Sequence, residues 1–175
     1  EGYKSGKKDA WVRTTFQDLW HANLFIFSLA KDMDEPILVL EDDVKFYPRF
    51  RNKAHEVERF ILSQPDIRMY TFGSMAYATS RKINGHLRLW HWTGTHAVVF
   101  TKQCRTYLQT TYSTVTINHA SLITNDSKLP TYTSVQPMAY QKHFLTENAL
   151  QILKSRGVPS LVTHQLIPLY FGLVD

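Results

Sequence analysis

The sequence predicts an α/β domain with a mixed, largely parallel sheet flanked by helices. Three observations carry that expectation. Short apolar runs alternate with amphipathic stretches, the order that places helices over strands. Proline and glycine punctuate most of the boundaries between them. The chain has 175 residues, 43% hydrophobic and 20% charged, which suits one domain over residues 1–175 with a real core.

Residues 1–8 form a basic tail, and residues 11–31 then read as one helix. Its apolar contacts (Phe16, Leu19, Trp20, Leu24, Phe27) recur at three- and four-residue spacing. Pro36 closes the link into a short buried strand over 37–40. Pro48 ends the following acidic loop, and residues 52–63 make an amphipathic helix with Ala54, Val57, Phe60 and Ile61 on one face. A second strand covers 67–72 and stops at Gly73. Asn84-Gly85 is the strongest hairpin signal, followed by alternation over 86–92. A turn at Thr93-Gly94-Thr95 leads into the apolar strand 96–100, and residues 102–112 form a helix. A strand is expected near 132–135, and Thr146 reads as the N-cap of a helix over 147–155. Residues 158–175 are left unassigned.

Composition limits the partners. The formal charge of +5 is spread along the chain apart from the tail, which suits phosphate-bearing small molecules, and no nucleic-acid-binding signature is present. The most apolar stretch, 24–30, is far too short to span a bilayer. Cys104 is the only cysteine, so no intrachain disulfide forms and a reducing, cytoplasmic setting is favoured. A membrane-peripheral position and a secretory lumen stay open. The chain opens at Glu1 rather than Met, as a fragment lacking its N-terminal portion would.

The most informative run is Ile37-Leu38-Val39-Leu40-Glu41-Asp42-Asp43-Val44. Three carboxylates abut an apolar strand at its C-terminal end, where ligands of open α/β sheets sit. Like charges so close repel one another, and a divalent cation with hard oxygen ligands relieves that. Glu41 and Asp43 share a face if the strand continues, with Asp42 facing away. A solvated acidic turn is the plainer reading. Farther on, Trp90, His91, Trp92 and His96 flank the turn at Gly94, a set that suits either a sugar face or a half-buried aromatic strand.

Three segments in order (Pro36 to Val44; Gly94-Thr95-His96-Ala97-Val98-Val99-Phe100-Thr101; and Tyr132 to Pro137 with Gln141) resemble glycosyltransferase family 25. That family groups lipooligosaccharide-type sugar transferases with collagen galactosyltransferases. The resemblance implies a GT-A-like, Rossmann-like fold and metal-dependent transfer of a hexose. The donor would be a nucleoside diphosphate sugar, a UDP-sugar by preference, and the acceptor a glycan or protein-linked hydroxyl. It also implies Mn²⁺ or Mg²⁺, with Asp43 as direct ligand and Glu41 as second ligand, water-mediated contact or ribose contact. Asp42 joins them if the loop turns back. Gly94 and Thr95 join Glu41 and Asp42 as candidate donor-binding residues. The family's N-terminal βαβ portion is absent, and Asn118-His119 stands where an Asp is common. A catalytically incomplete module that binds glycan or a partner is therefore the alternative. For a general base, Asp126, Glu147 and His119 are the candidates, and the sequence does not choose among them. Asp126 lies in Asn-Asp-Ser, which also marks a simple turn. His119 serves as ligand, acceptor contact or plain loop histidine.

Overall fold

The computed structural model describes residues 12, 15–114 and 123–141. The basic tail, His119, Glu147 with its expected helix, and residues 158–175 lie outside the described residues. The chain divides into a unit of Glu1–Tyr140 and a unit of Gln141–Asp175.

Helix α1 spans Thr15–Leu29 and leads through Pro36 into β1 (Ile37–Leu40). A tight turn follows, then β2 (Val44–Phe46), which the acidic run had hidden from the sequence pattern. Pro48 caps α2 (Arg49–Ser63), with its fixed φ of −52° already in the helical range. Strand β3 (Met69–Thr71) precedes a long hairpin of β4 (Met75–Ile83) and β5 (His86–Thr93). Its tip has Asn84 at φ 47° and Gly85 at φ 82°, the two positive values a two-residue primed turn requires. Strand β6 (Ala97–Phe100) runs into α3 (Lys102–Thr111), whose Thr101 cap accepts a hydrogen bond from the Cys104 N–H at 3.3 Å. Strands β7 (Thr131–Ser134) and β8 (Ala139–Gln141) complete the set, β8 pairing with β2.

The main sheet has the order β1-β6-β3-β7-β5-β4 and is mostly antiparallel, which corrects the expectation of a largely parallel one. Only β3 and β7 pair in parallel among the described residues. The cause is β6. It follows a hairpin and a glycine bend rather than a helical crossover, so it enters against its neighbours and separates β1 from β3. Since β1 and β3 each oppose β6, both run the same way, with α2 between them in sequence. Strand β1 is thus an edge strand rather than a buried one, and Leu38 and Leu40 stay exposed.

Alternation along β6 divides the core. Val98 and Phe100 join Trp20, Phe27, Cys104 and Leu108 from α1 and α3 on one face. Ala97 and Val99 join Val57, Phe60 and Ile61 from α2 on the other. Cys104 is fully buried, and burial raises its thiol pKa, so it packs as a small apolar residue. No helix among the described residues is long and apolar enough to cross a membrane.

One polar clamp crosses these layers. The Arg105 guanidinium, 2% exposed, donates to the carbonyls of Ala30 (3.2 Å), Met33 (2.6 Å), Glu35 (3.1 Å) and Phe100 (3.1 Å). It fastens the end of α1 and the link into β1 onto α3. Arg105→Ala should lower unfolding stability by about 3 kcal/mol, because four carbonyls, two of them in buried bonds, lose the guanidinium as donor. Arg105→Lys should restore little of it, since a point charge lacks the planar fork. Urea denaturation measures both, and a loss in Arg105→Ala below about 1 kcal/mol would show that water replaces the clamp.

Candidate functional site

At the C-terminal end of β1 the ladder continues for one more bond. The Glu41 N–H donates to the His96 carbonyl at 2.9 Å. The chain then reverses, with the Val44 N–H donating to the Glu41 carbonyl at 3.2 Å. Asp42 and Asp43 therefore occupy the middle of a turn and do not continue the strand. The expected face-sharing by alternation therefore does not apply. Glu41 and Asp43 are half-buried, while Asp42 is exposed even though the loop turns back.

The turn between β5 and β6 is brought against these acids. The Thr95 hydroxyl donates to Glu41 Oε1 at 3.3 Å, so two of the residues marked in the sequence meet directly. Asp43 Oδ1 is buried and has no hydrogen-bond partner among the described residues. The same holds for Ser74 Oγ and for both ring nitrogens of His96. His96 is 5% exposed. Burial lowers its pKa, while the Asp43 charge and the Ala139 carbonyl pull the other way.

Two glycines pin that ring. A Cβ on Gly73 would overlap His96 Nε2 and stand 2.5 Å from the Ala139 carbonyl oxygen. Gly94, at φ 95°, would place its Cβ 3.2 Å from the Gly73 carbonyl and 3.3 Å from His96 Cε1. The bend at Gly94 noted in the sequence is thus a close approach of the chain to a histidine.

Asp126 is not brought to this site. Pro130 accepts from the Arg68 and Met69 N–H groups, which fixes the 126–130 loop at the N-terminal end of β3 and β7. The acidic turn lies at the opposite end, beyond Leu40, which pairs with Ala97. Asp126 Oδ2 accepts from the hydroxyls of Tyr107 and Tyr112, each at 2.8 Å, and Oδ1 from the Lys128 N–H at 2.9 Å. Burial pushes this carboxyl up, but those donors outweigh it and hold the pKa below the ordinary value. Such a carboxylate anchors a turn well and accepts a proton poorly. His91 and Trp90 are exposed on β5, whereas Trp92 is in the core.

Hard oxygens at Asp43 and Glu41 fit a cation of the Mg²⁺ or Mn²⁺ type, which takes one or two protein carboxylates and completes its shell with phosphate and water. They do not form an all-protein cage. Among the described residues no three His, Cys, Asp or Glu side chains are arranged to hold a metal. Sequence reasoning missed the tight His96 packing, whose signal was the pair Gly73 and Gly94, and it missed Ser74 altogether. No protein-family model matches this chain, and no curated protein matches it.

Two outcomes follow from that geometry. Gly73→Ala should cost about 2 kcal/mol or more in urea denaturation, because the ring and a backbone carbonyl must both move. A cost near zero would mean that His96 is free to leave. The second concerns pH. His96 and His86 are both buried with pKa values lowered, chiefly by burial, from 6.5. Above that value neither state binds a proton at these rings. As pH falls below it, the unfolded chain takes up protons that the folded chain refuses, so stability falls. The urea midpoint should therefore drop between about pH 7.5 and 5.5, and His86→Gln should flatten the slope. A midpoint constant over that window would contradict the neutral burial of both rings.

Proposed function

We propose that this chain is a metal-dependent glycosyltransferase domain that moves a hexose from a nucleoside diphosphate sugar, by preference a UDP-sugar, to a glycan or other hydroxyl acceptor. The observation that supports it most is the Asp43 carboxylate oxygen, buried without a partner in the turn that closes β1. A carboxylate left in that state is costly unless a cation meets it. Asp43 and Glu41 would hold Mn²⁺ or Mg²⁺, and the bound ion would supply charge neutralisation for the departing diphosphate.

The chain's own residues prepare that position. Thr95 donates to one oxygen of Glu41 and so helps to orient that carboxylate. His96 stands behind the turn as a neutral ring, which adds no positive charge to compete with a cation. Gly94 carries the chain past it closely enough for Thr95 to reach Glu41. Exposed Asp42 is available to a ribose or to water. The general base is not assigned, because Asp126 is engaged elsewhere and His119 and Glu147 lie outside the described residues.

A second reading, a module that binds glycan without transferring it, is favoured by the exposed Trp90 beside the exposed His91 on β5. The test that separates them is turnover of UDP-galactose and UDP-glucose with and without Mn²⁺. A transferase should consume at least one donor only with the metal, and Asp43→Ala should reduce the rate at least about 100-fold. Donor consumption that ignores Asp43→Ala would overturn the metal site. No consumption, together with calorimetric sugar binding and no Mn²⁺-linked affinity for UDP, would establish the binding module instead.

A further inference from the structure

The hairpin of β4 and β5 carries a feature that transfer at the acidic turn does not use. Its register shifts at Trp90: Ala78 faces His91, but Thr79 faces Leu89. Trp90 is therefore the extra residue of a β-bulge, with no partner across the ladder. The bulge turns the indole outward to 67% exposure, while Leu89 and Trp92 on either side are about 5% exposed or less. Trp90 does not stand on an open surface. It lines a cleft of about 340 Å³ whose opposite wall is the 124–130 loop. That loop is stiff, because Asp126 is tied to Tyr107, Tyr112 and the Lys128 N–H. His91, Thr124, Asn125 and Ser127 supply hydrogen-bonding groups to the same lining.

We propose that this cleft is a carbohydrate-binding site, with Trp90 as the platform for one apolar face of a pyranose. The polar groups of the lining would meet its hydroxyls. Volume and chemistry agree, since an aromatic surface with a few placed polar groups is what a one- or two-ring sugar requires. A nucleotide is a poorer fit. The cation at the rim, Arg88, faces Asp66 at 3.7 Å, and Asp126 adds negative charge, so the cleft is not a phosphate funnel. The cleft lies by the N-terminal end of β7, and none of the three acids of the turn lines it, so a glycan held there does not need the metal. Identifying that glycan as the acceptor rests on the transferase reading, whereas the affinity of the cleft for sugar does not.

The experiment titrates the 175-residue chain with lactose, cellobiose and maltose in EDTA, following tryptophan fluorescence and saturation-transfer NMR. At least one disaccharide should bind with a Kd on the order of millimolar. Trp90→Ala should weaken it at least about tenfold and Trp90→Phe much less, because a ring face is retained. Asp43→Ala should leave binding unchanged, which keeps this outcome separate from the fate of the metal site. Binding of none of the three sugars, equal binding by Trp90→Ala, or displacement of the sugar by UMP in EDTA would each overturn the proposal.

Discussion

The link that aims β1, and with it the acidic turn, is fastened by a buried guanidinium that sequence inspection gives no reason to notice. Strand β1 pairs on one side only, with β6, so four residues of ladder are a weak tether for three carboxylates. Arg105 adds what the ladder lacks. Its four carbonyl acceptors include Ala30 at the end of α1, a position where a cation also meets the negative end of the helix dipole. Met33 and Glu35 fix the link that aims β1, and Phe100 fixes the far end of β6. No carboxylate is among these partners. The charge is solvated by backbone dipoles instead, which orders an irregular segment that would otherwise follow its own preferences.

Much of the element content was legible because it is decided locally. Pro36, Pro48 and Asn84-Gly85 each act within a few residues, and the structure uses all three as boundaries or turns. Strand sense was not legible. Alternating strands and helices predict parallel pairing only if each crossover returns the chain beside the strand it left. Here α2 does carry β1 to a strand of the same direction, but β6 arrives later and takes the place between them. Nothing within residues 37–72 encodes that insertion. Strands β2 and β8 were missed for a different reason. Each has three residues, too short for a period to show, and β2 begins directly after the acids.

The candidate site divides in the same way. The position of Glu41, Asp42 and Asp43 at a strand end was readable, as was a close approach at Gly94. Their mutual geometry was not, because alternation holds only while a strand lasts, and this one ends at Leu40. Arg105 reads in sequence as one more solvated cation on an amphipathic helix. The partners of Asp126, Tyr107 and Tyr112, come from the helix before it, so a turn composition gave its fate without naming its donors. His96 owes its burial to Gly73, which lies in another strand connection and comes near only through the sheet.

The β4–β5 ribbon links these features through register. If residue 90 followed the regular alternation, Leu89 and Trp92, three positions apart, would point to opposite faces of the strand. With the bulge, both enter the same core cluster. A second register shift, between Ala76 and Ala78, then sets where β5 ends and hence where Gly94 bends and Thr95 meets Glu41. Structure alone asks only for one additional residue there, and a serine or threonine would meet that need without exposing an indole. The choice of tryptophan at this bulge, which turns a side chain outward into a polar cleft, is what register does not explain and sugar binding would.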